Sequence, residues 1–154
     1  MTNLIYEDLI NGNNQSVSKE MFFKNVFTCL KEKGFVENSF LEAITEREKE
    51  YPTGLKLNKI SISIPHTDVT HIIKPFIFIN KIVNKNLDFI QMGTDDEILQ
   101  PDYIIILGIK NPTEQVELLS GLLELFDKES FFLALSMAKN DLEIKEAFIS
   151  HLGM

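Results

Sequence analysis

The pattern of apolar and polar positions predicts helices at the start of the chain, strands in its middle and helices at its end. Ser18 is placed to cap a first helix that closes at Gly34, and a second helix begins at Asn38 or Ser39. Three further amphipathic segments finish the chain: one that opens at Thr113, then residues 129–138 and 142–152.

Between these helices lie apolar runs of strand length, at residues 60–64, 76–83, 87–90 and 103–109. The last run is apolar on both faces, which is typical of a strand in the middle of a covered sheet. Near the N-terminus, the polar segment 11–14 predicts a turn. Helices, strands and helices in this order predict an α/β fold, with helices on both faces of a mixed β-sheet.

Composition and charge narrow the class of protein. A chain of 154 residues, 44% of them hydrophobic, suits a single packed domain over residues 1–154. The net charge of -8 argues against a nucleic-acid partner. No apolar run approaches the ~20 residues of a membrane-spanning helix, and the first residues lack the pattern of a secretory signal. The single cysteine, Cys29, is expected in the core and suits a reducing compartment, so we expect a cytoplasmic protein.

The candidate chemistry lies where the run at residues 60–64 ends. Isoleucines alternate there with Ser61 and Ser63, as in a strand with one apolar face. Pro65 cannot donate to a sheet, so the strand should stop before it. His66 then stands in a turn at the strand end, beside Thr67 and Asp68. An imidazole held at the end of a rigid element is well placed for catalysis.

Several roles for this histidine are compatible with the residues alone. A metal-dependent hydrolase would use His66, Asp68 and His71, but no cluster supplies further ligands. A serine hydrolase would need a Gly-x-Ser-x-Gly turn, which the chain lacks. A nucleophilic histidine needs a free lone pair on one nitrogen and an acceptor for the proton on the other. A structural histidine is the remaining alternative, and His151 is expected in a frayed helix end.

Two motifs together resemble a known family. The segment Arg-Glu-Lys-Glu-Tyr-Pro-Thr-Gly-Leu, residues 47–55, is followed by Ile-Ser-Ile-Pro-His-Thr-Asp at residues 62–68. The pair resembles the enzyme IIA components of the bacterial phosphoenolpyruvate-dependent sugar phosphotransferase system, of the fructose/mannitol type. The loop at residues 89–96 looks most like the galactitol branch. The resemblance implies the α/β fold of that superfamily and a covalent phosphohistidine intermediate without a cofactor.

The resemblance also implies roles for individual residues. His66 would carry the phosphoryl group, and Arg47, at the family's arginine position, would neutralise its oxygens. Mannitol- and fructose-type members have a second histidine where this chain has Gln115, which can donate a hydrogen bond but cannot carry a proton away. Thr53, Thr67 and Asp68 are expected in supporting roles. A docking rim is expected from apolar residues near the site, with Val69, Ile72, Met92 and Leu119 as candidates, each of which is equally compatible with a place in the core.

The partners implied are a histidine-containing phosphocarrier protein as donor and a cysteine of enzyme IIB as acceptor. The membrane is reached only indirectly, through enzyme IIC, and the transported substrate is galactitol or a related sugar or polyol. A regulatory IIA-like module, whose phosphorylation state controls another protein, is an alternative without a transport role.

Overall fold

The computed structural model describes residues 4–152, and its centre is a five-stranded mixed sheet. The strands of the chain are β1 (Ile10–Asn14), β2 (Gly54–Lys56), β3 (Ser61–Ser63), β4 (Phe76–Ile82), β5 (Phe89–Ile90), β6 (Ile98–Leu99) and β7 (Tyr103–Gly108). The spatial order in the sheet is β1–β4–β7–β3–β2. The pairs β1–β4 and β3–β7 are parallel, and the other two pairs are antiparallel. A small ribbon of β5 and β6 lies beside the sheet.

Helices cover both faces of this sheet, and the sheet divides the hydrophobic core into two parts. The helices are α1 (Lys19–Glu32), α2 (Phe40–Glu50), α3 (Pro112–Phe126), α4 (Glu129–Met137) and α5 (Asp141–His151). The first two pack with Phe76, Phe78 and Ile106 on one face, and the last three pack with Ile77, Ile79 and other residues on the opposite face. The predicted α/β fold with two covered faces is confirmed. No helix within residues 4–152 is long and apolar enough to cross a bilayer.

Most element ends follow the local signals of the sequence. Ser18 caps α1 by accepting a hydrogen bond from the amide of Met21, and Gly34 follows the helix with a φ of 81°. The predicted start of α3 at Thr113 is late by one residue. Asn111 caps that helix through its side chain, and Pro112 occupies the first turn, where its missing N–H costs nothing.

The predicted turn at residues 11–14 is wrong, because this polar segment is the edge strand β1. It pairs in parallel with β4, and the side chain of Asn14 donates to the buried Asn80 at 3.0 Å. The backbone amide of Gly12 donates a hydrogen bond to the carboxylate of Asp141 in α5 at 2.9 Å. Side chains from neighbouring elements therefore supply the polar partners that such a segment needs, and local turn propensity is overridden.

Strand β7 lies in the middle of the sheet, as its two apolar faces predict, and all its residues are buried. Strand β3 is shorter than the alternating pattern at residues 60–64. Its parallel pairing with β7 brings the C-terminal ends of both strands to one edge of the sheet. The chain leaves β3 there through Pro65, whose carbonyl accepts from the amide of Leu107 at 3.1 Å. The turn after β3 and the start of α3 therefore lie at the same edge.

Gly54 is required by a close approach of two backbone segments. The amide of Met92 donates to the Gly54 carbonyl at 2.7 Å, and a Cβ at Gly54 would collide with the backbone oxygen of Ile90. We expect Gly54→Ala to lower the free energy of unfolding by about 1–3 kcal/mol, since backbone must shift. Gly121→Ala is the matched control: a Cβ there meets nothing within 4 Å inside α3, so urea denaturation should show a gain of up to about 1 kcal/mol. Equal effects of both changes would contradict this account.

Candidate functional site

His66 is half-buried at the end of β3, and its ring is held by its own strand. Nδ1 lies 2.9 Å from the carbonyl oxygen of Ile64. A carbonyl can only accept, so Nδ1 carries the proton and donates, which leaves the lone pair of a neutral ring on Nε2. Within residues 4–152, Nε2 has no hydrogen-bond partner. The ring thus has the tautomer that a nucleophilic histidine requires.

The surroundings of His66 keep the ring neutral near pH 7. Burial, the largest cause, lowers its pKa below the ordinary 6.5, and the charge of Arg47 acts in the same direction. The hydrogen bond to Ile64 and the charge of Asp68 oppose this shift and are outweighed. A neutral imidazole keeps its Nε2 electron pair available for reaction at physiological pH.

Hydrogen bonds fix the backbone on both sides of this ring. The hydroxyl oxygen of Thr53 accepts from the amide of Ile64 at 3.2 Å, and the Ser63 hydroxyl lies 2.8 Å from the same oxygen. On the other side, Pro65 is bonded to Leu107 of β7. The Pro-Thr-Gly turn and the Pro-His turn, separate in sequence, therefore meet through Thr53.

Arg47, in the last turn of α2, lies beside the turn that carries His66. Its Nη1 is 3.4 Å from Oδ1 of Asp68, and its guanidinium carbon is 5.6 Å from the ring centre of Tyr51. Arg47, Thr67, Asp68 and other residues line an open pocket of about 330 Å³. Since the Asp68 side chain is 77% exposed, the ion pair contributes little to stability. The guanidinium can therefore exchange this partner for an incoming anion at low cost.

The predicted supporting residues of the turn differ in exposure. Thr67 is buried and its hydroxyl donates to the backbone carbonyl of Asp68 at 3.0 Å. This bond shapes the turn and leaves the hydroxyl engaged. Asp68 is exposed and faces Arg47. Both roles stay predictions, with Thr67 placed to hold the backbone and Asp68 to orient the arginine.

Gln115 lies in the first turn of α3, which begins at the sheet edge where His66 stands. Its amide donates to the carbonyl of Asn111 at 3.0 Å. Its side-chain oxygen is buried and has no hydrogen-bond partner within residues 4–152. An unmade hydrogen bond of this kind costs about 1–3 kcal/mol, so this amide has bonding capacity to offer a ligand.

Glu48 was not recognised from the sequence as a buried group. The charged end of α2 predicts solvated side chains, yet Glu48 is only 2% exposed. Its carboxylate accepts from the amide and the hydroxyl of Thr53, at 2.9 and 2.8 Å. Burial raises its pKa to about 7, against the bonds from Thr53 and the charge of Lys19. The available signal was spacing: Phe40, Ile44 and Glu48 recur every four residues, on the buried stripe of the helix.

The other two histidines have structural partners. Nδ1 of His71 is 2.7 Å from the hydroxyl of Ser39. His151 is the last residue of α5, where Nδ1 is 2.8 Å from the carbonyl of Ala147 and the ring is 5.6 Å from that of Phe131. The expectation of a frayed end at His151 is therefore wrong. No group of three His, Cys, Asp or Glu residues within 4–152 is arranged to hold a metal ion, so the geometry gives the hydrolase alternative no support.

The four candidates for the docking rim differ in exposure. Ile72 is 2% exposed and belongs to the core beside α1 and α2, so of its two alternatives the core is the one observed. Met92 is exposed, while Val69 and Leu119 are half-buried.

Cys29 is half-buried at the margin of the α1–α2 core, and burial raises the pKa of its thiol. A thiol with a raised pKa is a poor nucleophile at neutral pH.

Known structures share this fold at low sequence identity. The crystal structure of IIA mannitol from Escherichia coli is 22% identical, with 92% of this chain and 95% of that one covered and a TM-score of 0.66. The nitrogen regulatory protein IIA-Ntr from Neisseria meningitidis is 21% identical, with 95% and 97% covered and a TM-score of 0.75. The complex of enzyme IIAMTL with phosphorylated enzyme IIBMTL from Escherichia coli contains a chain that is 22% identical, with 96% and 99% covered and a TM-score of 0.68.

The mixed sheet with helices on both faces is the fold of these IIA structures. The sequence pattern of the family described as "Phosphoenolpyruvate-dependent sugar phosphotransferase system, EIIA 2" matches residues 3–151. The chain belongs to this family of phosphotransferase components. A curated relative, the galactitol-specific EIIA component of Escherichia coli K12, is 34% identical over 87 residues, or 56% of this chain. The match spans 57% of that relative's length.

Proposed function

We propose that this chain is a phosphocarrier in which His66 is the transient phosphoryl acceptor. The lone pair of Nε2 attacks the phosphorus of a phosphohistidine on the carrier protein. A new N–P bond forms on His66 while the old N–P bond breaks, and the donor imidazole keeps the electron pair. The observation that carries the proposal is the 2.9 Å bond from Nδ1 to the Ile64 carbonyl, which leaves that lone pair on Nε2.

The second half of the relay reverses these bonds. A thiolate of enzyme IIB attacks the phosphorus, an S–P bond forms, and His66 recovers its electron pair as the N–P bond breaks. Arg47 is the nearby cation for the phosphoryl oxygens. The side-chain nitrogen of Gln115 is the amide donor for them, whereas its oxygen, which has no hydrogen-bond partner within residues 4–152, can only accept. The intermediate is covalent, so no cofactor is needed.

Substrate and partners are inferred from the relatives. The 34% identity to a galactitol-specific component favours galactitol or a related polyol as the transported substrate. The mannitol relative solved with phosphorylated IIB favours an enzyme IIB as the acceptor. The net charge of -8 disfavours nucleic acid. A cytoplasmic location follows from these partners, with the membrane reached through enzyme IIC.

The deciding experiment follows phosphate from phosphoenolpyruvate. With enzyme I and the histidine carrier, the chain should take up one phosphoryl group that is labile in acid and stable in alkali. Adding a galactitol-type enzyme IIB should then discharge it, whereas a IIB whose cysteine is replaced by serine should not. No uptake, or an acid-stable label, would refute the proposal. Uptake with no discharge to any of several IIB proteins would favour the regulatory alternative.

Arg47→Ala should slow phosphoryl uptake roughly 10- to 150-fold, because one charge-assisted bond to the phosphoryl oxygens is lost, a contribution of about 1.5–3 kcal/mol. Arg47→Lys should recover part of the rate, since it keeps the charge but not the planar fork. Lys49→Ala removes an exposed cation two residues further along the same helix and is the control. Initial rates with phosphorylated carrier measure all three. An Arg47→Ala rate equal to that of Lys49→Ala would exclude the role.

A further inference from the structure

A buried carboxylate stands at one end of a series of hydrogen bonds that leads to His66. Glu48 accepts from the hydroxyl of Thr53 at 2.8 Å and from its amide at 2.9 Å. The same Thr53 oxygen accepts from the amide of Ile64 at 3.2 Å. The carbonyl of Ile64 accepts from Nδ1 of His66 at 2.9 Å. The end of α2, the turn before β2 and the end of β3 are thus joined in one network.

The carboxylate fixes the direction of these bonds. At pH 8, above its pKa of about 7, the Glu48 carboxyl is chiefly ionised and can only accept, so the single hydroxyl proton of Thr53 points to Glu48. The lone pairs of that hydroxyl are then available to the Ile64 amide and to Ser63. Ile64 is consequently held through its amide, and its carbonyl is placed to receive the proton on His66 Nδ1.

Burial of Glu48 is costly, which points away from a purely structural role. Within residues 4–152 no lysine or arginine forms an ion pair with it. The charged groups that share its pocket are Lys19 of α1, Lys49 of α2 and Asp95 after β5. An apolar side chain at this position of the α2 stripe would avoid the desolvation cost. Costly ionisable groups of this kind concentrate at functional sites.

We propose that Glu48 is a positioning residue for His66, acting through Thr53 and Ile64. It holds the strand end so that the imidazole stays in the Nδ1–H tautomer with Nε2 free. This inference rests on the proposed phosphoryl transfer at His66 and names a residue outside the reacting groups that controls it. Glu48 itself does not touch the transferred group.

Two substitutions break the network at different points, and each has a conservative partner. Glu48→Ala removes both acceptors. Glu48→Gln keeps an oxygen that accepts from the Thr53 amide and a nitrogen that donates to the Thr53 hydroxyl, which turns its proton to Ser63 and still accepts from the Ile64 amide. Thr53→Val removes the hydroxyl with little change of shape, whereas Thr53→Ser retains it. Asn80→Ala is the matched control, because it breaks the buried Asn14–Asn80 pair on the β1–β4 side of the sheet. Urea denaturation first identifies conditions in which every variant is folded.

The first measurement is the ¹⁵N spectrum of the His66 ring at pH 8, which reports the tautomer. We expect the Nδ1–H form to dominate in the wild type, and the Nε2–H fraction to rise in Glu48→Ala and Thr53→Val. The second is the initial rate of uptake from phosphorylated carrier, which should fall roughly tenfold in these two variants because the nucleophile is misplaced. Glu48→Gln and Thr53→Ser should restore both readouts.

The control separates positioning from general destabilisation. Asn80→Ala should lose stability while keeping the wild-type tautomer and rate. Wild-type tautomer populations in folded Glu48→Ala and Thr53→Val would overturn the inference, as would rate losses no larger than that of Asn80→Ala. The tautomer measurement needs no phosphoryl donor. Absence of uptake by the wild-type chain would therefore refute the proposed function while the ring spectrum still tests the positioning role.

Discussion

His66→Ala is expected to abolish phosphoryl uptake, with a fall of at least about a thousandfold, because the substitution removes the attacking atom itself. Among the described residues, 4–152, the half-buried ring makes one hydrogen bond, to Ile64, so its removal should cost only about 1 kcal/mol of stability. The variant should therefore remain folded, and circular dichroism checks this. Acid-labile label after incubation with phosphoenolpyruvate, enzyme I and the histidine carrier measures the effect.

The other histidines provide matched controls for this prediction. His71 is engaged with Ser39, and His151 packs on Phe131 in the last turn of α5. His71→Ala and His151→Ala should keep nearly the full extent of labelling. Label retained by His66→Ala, or lost from either control while it is folded, would place the phosphoryl group elsewhere.

The position of His66 at the end of β3 could be predicted from sequence because its signals are local. The alternating pattern, the proline that ends the strand and the histidine after it place an imidazole at a sheet edge with no tertiary information. The same holds for β7, where five successive hydrophobic residues, 103–107, fit the covered centre of a sheet. Signals of this kind come from the residues of a single element.

Features that depend on partners from distant elements were missed. Strand β1 looks like a turn because its amides and side chains are satisfied by Asn80 of β4 and Asp141 of α5, far along the chain. Glu48 looks solvated because Thr53, which bonds its carboxylate, belongs to the next turn. The sequence does not decide between rim and core for Ile72, and the fold places it in the core. In each case packing or a long-range bond outweighs the local preference.

The buried position of Glu48 also determines how stability should vary with pH. Its pKa is raised from an ordinary value of 4.5 to about 7, chiefly because burial disfavours the charged form. Below pH 4.5 the carboxyl is protonated in both the folded and the unfolded chain. Between pH 4.5 and 7 the unfolded chain releases its proton while the folded chain retains it. The unfolded state is therefore increasingly favoured as pH rises, and the whole penalty is present above pH 7.

Glu48→Gln should remove this loss of stability, since an amide has no proton to release. At pH 5 the variant and the wild type should be similar, because a protonated Glu48 and a glutamine offer Thr53 the same kinds of bond. At pH 8 the variant should be more stable by roughly 3 kcal/mol, the equivalent of the pKa shift at about 1.4 kcal/mol per unit. Lys19, Lys49 and Asp95, which share the pocket, are present in both chains, so the comparison isolates the group at position 48. Urea denaturation at the two pH values gives the difference in free energy of unfolding between the variant and the wild type.

The control is Glu50→Gln, at an exposed carboxylate two residues further along the chain, and this variant should show no pH-dependent difference in that free energy. For Glu48→Gln, a difference that does not grow between pH 5 and pH 8 would mean that Glu48 is ionised at low pH despite its burial.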